Sequence, residues 1–230
     1  MRQLLPDPVD DVDPEVVYAD DDRPAPVGRP WVMANMVTSA DGSAAVDGRS
    51  GPLGGPADRA VFHLLRSLAD VILVAAGTVR AEHYRPARGP APIAVVTRSL
   101  DLDLTSALFT EATARTIVVT CAAADPGRLA AVREVADVVV AGDERVDVAA
   151  ALAALGERGH RLVLCEGGPT LLGQVASAGV LDELCLTISP ILTAGDGPRL
   201  LDGPALTPPA ALRLATLLED DGTLFARYLS

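Results

Sequence analysis

Two glycine-bearing junctions in this chain of 230 residues have the make-up of a ligand site. In Cys165-Glu166-Gly167-Gly168-Pro169-Thr170 a carboxylate precedes two glycines that let backbone approach a ligand closely. The proline then opens a helix whose first amides face outward, an arrangement suited to an anion; an ordinary tight turn is the alternative. In Ala76-Gly77-Thr78-Val79-Arg80 a hydroxyl and an amide stand at the start of a short helix, where a capping threonine is the alternative. Val96-Thr97-Arg98-Ser99 places a guanidinium and a hydroxyl just past a strand, a pair suited to the 2′-phosphate that separates NADPH from NADH. Thr38-Ser39-Ala40-Asp41-Gly42-Ser43 adds polar groups and a glycine after the first strand. No Gly-x-Gly-x-x-Gly occurs, which argues against an ordinary Rossmann dehydrogenase.

Such junctions need a sheet to position them. Short apolar runs at Trp31 to Val37, Val71 to Ala75, Ile93 to Thr97, Thr116 to Thr120, Val138 to Val140 and Leu162 to Cys165 read as strands. Between them lie helical stretches from Gly55-Pro56 to Leu68, over Arg128 to Val135, over Val148 to Glu157, and from Pro169 to Ala178. Continuous apolar strands alternating with amphipathic helices predict a parallel sheet covered on both faces. The ending differs: Glu183 to Ile191, Leu212 to Glu219 and Thr223 to Leu229 are strands without helices between them, and Asp220-Asp221-Gly222 is a hairpin turn signal. The expected fold is therefore α/β, a mainly parallel central sheet flanked by helices with antiparallel C-terminal strands, in one domain over residues 29–230. Residues 1–28 hold five prolines and eight acids against Arg2 and Arg23, and read as an acidic, extended or mobile arm.

Composition narrows the function. All 19 basic residues are arginine, which removes Schiff-base and other amine chemistry. A net charge of −12 and only one Trp, three Tyr and three Phe argue against nucleic-acid partners, since a phosphate backbone is repelled and stacking platforms are few. Cys121, Cys165 and Cys185 sit on apolar stretches as small core residues of a reducing cytoplasm, and His63, His83 and His160 form no metal-ligand spacing. The N-terminus has no basic-then-apolar leader and no apolar run is long enough to span a bilayer, so a cytoplasmic protein without membrane contact is expected.

Four motifs in order carry a resemblance: Met36-Val37-Thr38-Ser39-Ala40-Asp41-Gly42, Gly77-Thr78-Val79-Arg80-Ala81-Glu82, Glu166-Gly167-Gly168-Pro169-Thr170-Leu171 and Gly179-Val180-Leu181-Asp182-Glu183-Leu184. Residues 29–230 resemble the reductase domain of the riboflavin-biosynthesis deaminase-reductase. The resemblance implies a dihydrofolate-reductase-like fold, an NADPH-dependent reductase of a pyrimidine-type heterocycle such as 5-amino-6-(5-phosphoribosylamino)uracil, a homodimer, and no deaminase half. It implies that Gly77, Thr78 and Glu82 contact the nicotinamide half or the bridging phosphates, and that Val37 and Pro52 touch the nicotinamide side. Gly167, Gly168, Pro169, Thr170 and Leu171 would cradle the pyrophosphate, with Ser99 and Arg98 at the 2′-phosphate. On the substrate side it implies Ser50, Asn35, Ser43 and Arg66, the last pairing with a substrate phosphate. Glu166, and with it Asp41, would be catalytic, Glu166 binding a ring NH or donating a proton. The family's basic residue after Asp-Gly is Ser43 here. That departure keeps two alternatives open, a dihydrofolate or pterin reductase and a non-catalytic NADP-binding module.

Overall fold

The computed structural model describes residues 1–19, 23–24 and 26–230. In chain order the elements are β1 (Arg2–Leu5), α1 (Pro14–Tyr18), β2 (Trp31–Ser39), a 3-10 turn (Gly51–Leu53), α2 (Pro56–Leu68), β3 (Val71–Ala75), α3 (Ala76–Ala81), β4 (Ile93–Val96), α4 (Ala107–Thr110) and β5 (Ile117–Thr120). They continue as α5 (Pro126–Val135), β6 (Asp137–Val140), α6 (Val148–Glu157), β7 (Leu162–Cys165), α7 (Pro169–Ser177), β8 (Glu183–Ser189), β9 (Arg213–Asp220) and β10 (Thr223–Leu229).

The described strands form one ten-stranded sheet in the order β1-β9-β10-β8-β2-β7-β3-β4-β5-β6. From β8 to β6 all pairings are parallel, while β10, β9 and β1 add antiparallel at the other edge. The fully apolar strands are explained by two covered faces: on β3, Val71 and Leu73 pack with α6 and α7, whereas Ile72 and Val74 pack with α1 and α2. Pairing of Thr223 with Asp220 leaves Asp221 and Gly222 as a two-residue loop, both at positive φ, which is the turn that the Asp-Asp-Gly signal predicts. Cys121, Cys165 and Cys185 are free and buried. None of the described helices is long and apolar enough to cross a membrane.

Over the described residues 1–19, the expectation of an extended or mobile arm is corrected. β1 pairs with β9, α1 starts at Pro14 behind the capping carboxylate of Asp13, and Tyr18 is 1% exposed against α2 and β8 residues. Arg23 extends this anchorage: its Nε donates to Glu183 Oε2 at 2.9 Å and its Nη2 to Oε1 at 3.1 Å. Glu183 also accepts from Arg227 Nε at 2.7 Å and Trp31 Nε1 at 3.2 Å. Four residues made a strand illegible in composition, and charged partners far along the chain hold a segment that has few apolar side chains. The acids Asp20, Asp21 and Asp22 lie outside the described residues.

Candidate active site

The C-terminal ends of the parallel strands open into a cavity of about 900 Å³ between α2, α3 and the loop after α3. Its walls bring together Asn35, Val37, Ser50, Arg66, Gly77, Thr78, Glu82, Glu166, Gly168 and Pro169, all expected from the sequence. This is where ligands bind in open α/β sheets.

The two glycine junctions meet in space because β3 and β7 are neighbours. The Ala75 amide donates to the Gly167 carbonyl at 2.7 Å, and the Glu166 amide to the Leu73 carbonyl at 2.9 Å. Gly167 has φ of +73° and is joined to Gly168 by a cis peptide bond. A Cβ on Gly168 would stand 2.8 Å from Thr78 Oγ1, so the passage between the junctions admits backbone and no side chain. Gly168 caps α7 with no side-chain bond, and a Cβ on Gly77 would meet nothing within 4 Å, so the space beside Gly77 is open. A glycine cradle at the start of a nine-residue helix fits the pyrophosphate of a nicotinamide dinucleotide.

On the α2 side of the cavity the central feature is a fixed ion pair. Arg66 donates from Nε and Nη2 to the two oxygens of Glu166, each at 2.7 Å, and the Tyr84 hydroxyl donates to Glu166 Oε2 at 2.6 Å. The Arg66 guanidinium lies 4.2 Å from the Phe62 ring centroid and 5.4 Å from that of Tyr84. Burial pushes the Tyr84 phenol well above its usual range, and the Glu166 charge adds to this. Arg66 is thus paired with Glu166 at the cavity wall, where the resemblance implies a contact with a substrate phosphate. Glu82 is likewise engaged, accepting from the Ser50 amide at 2.7 Å and hydroxyl at 2.9 Å.

Other expected residues stand elsewhere. Asp41 and Ser43 line a second cavity of about 710 Å³ rather than the one holding Glu166. The hydroxyl of Ser39 donates to Asp41 at 2.5 Å and the Ala194 amide at 2.7 Å, and these bonds hold the carboxyl well below the usual range. Asp41 therefore ties its turn to the loop after β8. The Ser43 hydroxyl donates to the Ala45 carbonyl at 2.8 Å, and its backbone forms an isolated β-bridge with Arg199, which borders the same cavity. Thr170 is exposed and gives its hydroxyl to Asp202 at 3.0 Å, and Leu171 is 3% exposed with its side chain in the core. Gly167 and Pro52 do not border the main cavity, and Arg98 and Ser99 are exposed beyond β4, where Arg128 Nη1 donates to the Ser99 carbonyl at 3.0 Å. Sequence reasoning missed Tyr84, Phe62 and Asp58, which all border the main cavity. The spacing of Asp58, Phe62 and Arg66 at i, i+4 and i+8 on one helix face was the legible signal for two of them.

Residues 30–224 match the RibD C-terminal domain family. The chain is 33% identical over 195 residues to the 2,5-diamino-6-ribosylamino-4(3H)-pyrimidinone 5′-phosphate reductase of Methanothermobacter thermautotrophicus, covering 81% of this chain and 90% of that protein. A pyrimidine reductase-like protein from Corynebacterium diphtheriae superposes with a TM-score of 0.80 at 28% identity, over 95% of this chain and 98% of that one. Dihydrofolate reductase from Enterococcus faecalis, complexed with NADP(H), superposes with a TM-score of 0.54 at 12% identity over 86% of this chain and 95% of that one, a likeness of fold alone. With its sheet, its glycine cradle and a match over most of its length, the chain belongs to the RibD C-terminal domain family of pyrimidine reductases.

Proposed function

We propose that the protein is an NADPH-dependent reductase of a ribosylaminopyrimidine 5′-phosphate, the type of substrate that its relatives' names carry. One observation carries the reading: a single cavity joins the glycine cradle at Gly168 and Thr78 to the polar substrate wall of Arg66 and Glu166. When bound, the cofactor supplies hydride to an electrophilic carbon of the ribosylamino group. The protein's own part is orientation, which in general contributes up to about 7–11 kcal/mol of the barrier. Gly168, Pro169 and the amides of Thr170 and Leu171 hold the pyrophosphate, with Gly77 and Thr78 opposite. Val37 and Asn35 line the floor, and the Arg66–Glu166–Tyr84 cluster forms a rigid polar wall that binds ring N–H or sugar hydroxyl groups. Preference for NADPH over NADH rests on Arg98 and Ser99 beyond β4, with Arg128 beside them.

Purified protein mixed with NADPH and the ribosylaminopyrimidine phosphate is expected to consume the nicotinamide absorbance and yield the ribitylamino product. No consumption would overturn the reading. A pterin or dihydrofolate substrate is the second reading, and the same assay with dihydrofolate decides it. NADPH binding with turnover of neither substrate would leave a non-catalytic NADP-binding module. A cytoplasmic homodimer completes the proposal; exposed Ile191 and Leu192 beside the second cavity are compatible with a subunit contact, and light scattering measures the state.

A further inference from the structure

Three carboxylates border the main cavity, Asp58, Glu82 and Glu166, and two of them are already engaged by Ser50 and by Arg66 with Tyr84. Asp58 stands apart. It is the third residue of α2, where an acid ordinarily turns back toward the capping amide. Its carboxyl also interacts with the Thr187 side chain on β8. Thr187 is the register partner of Val37, which borders the same cavity as Asp58. The carboxylate lies against Gly54, where any Cβ would collide with Asp58 Oδ2. Burial raises the pKa of this carboxyl, with the Thr187 hydroxyl and Arg59 pulling it partly back. One face of α2 therefore presents an acid at Asp58, a ring at Phe62 and an arginine at Arg66 to one ligand.

We propose that Asp58, steadied by Thr187, reads the N–C–N edge of the heterocycle and selects a 2-amino-4-oxopyrimidine over a uracil; this rests on the pyrimidine-reductase reading above. A 2-amino-4-oxo ring presents a ring N–H and an exocyclic N–H side by side, two donors for the two oxygens of a carboxylate. A uracil puts a carbonyl where the amine stands, so two acceptors face each other in a half-buried site and one donor pairing is lost.

The test uses the whole chain with NADPH and two substrates, 2,5-diamino-6-ribosylamino-4(3H)-pyrimidinone 5′-phosphate and its uracil counterpart. Each is assayed for kcat/KM and, with NADP⁺ present, for binding by calorimetry. The wild type is expected to favour the diamino ring by about 100-fold in both readouts. Asp58→Asn is expected to lose about 100-fold on the diamino ring while the uracil gains, because an amide offers one donor and one acceptor; NADPH affinity stays unchanged. Equal handling of the two rings by the wild type, or loss of both to the same extent in Asp58→Asn, would overturn the role of Asp58. Selective binding with turnover of neither ring would support that role while refuting the functional reading.

Discussion

The cluster of Glu166, Arg66 and Tyr84 shows how few atoms govern the substrate wall. Side-chain exposure is 3% for Glu166 and 15% for Arg66, so each charge depends on the other for what water no longer supplies. Arg66→Met is expected to cost about 3–5 kcal/mol by leaving the Glu166 carboxylate without its cation, and adding Glu166→Gln should restore part of it. Urea unfolding of the two variants measures both; a cost below about 1 kcal/mol, the range of exposed pairs, would contradict a buried pair. On the cofactor side the margin is steric. With 2.8 Å between a Cβ at position 168 and Thr78 Oγ1, Gly168→Val is expected to weaken NADPH binding by about 100-fold or more, roughly 2.7 kcal/mol. A fluorescence titration reads this, and unchanged affinity would mean that the pyrophosphate lies elsewhere.

Elements position these atoms through packing that spans the chain. α2 sets Asp58, Phe62 and Arg66 in line toward the cavity while Val61 and Leu65, on the adjoining stripe of the helix, are buried. That stripe packs in the same cluster as Tyr18 of α1, so the N-terminal segment supports the helix that carries the substrate wall. Tyr18→Ala is expected to cost about 3–5 kcal/mol, as large aromatic truncations in cores do. Thermal unfolding measures it, and a shift within error would show that α1 is not part of the cooperative unit. Asp41 performs a similar service on the opposite side, holding the turn after β2 to the loop after β8.

For the molecule as a whole, the buried hub at Glu183 links the N-terminal segment, β2, β8 and β10. Burial opposes the charge on Glu183, but Arg23 and Arg227 outweigh it and its pKa falls below the ordinary glutamate value. Because the folded value is the lower one, the stabilisation is complete above the unfolded glutamate value and is lost as pH falls through the folded one. Stability to urea is therefore expected to be flat near neutrality and to decline once pH drops below about 4, with a shallower decline in Glu183→Gln. The same decline in both proteins would place the acid sensitivity in other carboxylates.

The alternating elements from Trp31 to Glu157, the two glycine junctions and the C-terminal hairpin were legible because each rests on local chemistry: apolar runs, proline-opened helices, and turn residues at fixed offsets. The edge strand at Arg2–Leu5 was not, because its stability comes from pairing with β9 more than two hundred residues later. Within the site, the sequence by itself determined which residue types could cradle a dinucleotide and which carboxylate and arginine stood near it. Only the tertiary structure decided that Arg66 and Glu166, exactly 100 residues apart, spend their charges on each other, and that Asp41 and Ser43 face a second cavity. It also set Asp58, Phe62 and Glu166 around one cavity. Sheet order makes distant residues neighbours, and charge, hydrogen bonding and burial act through that nearness, which spacing along a chain does not encode.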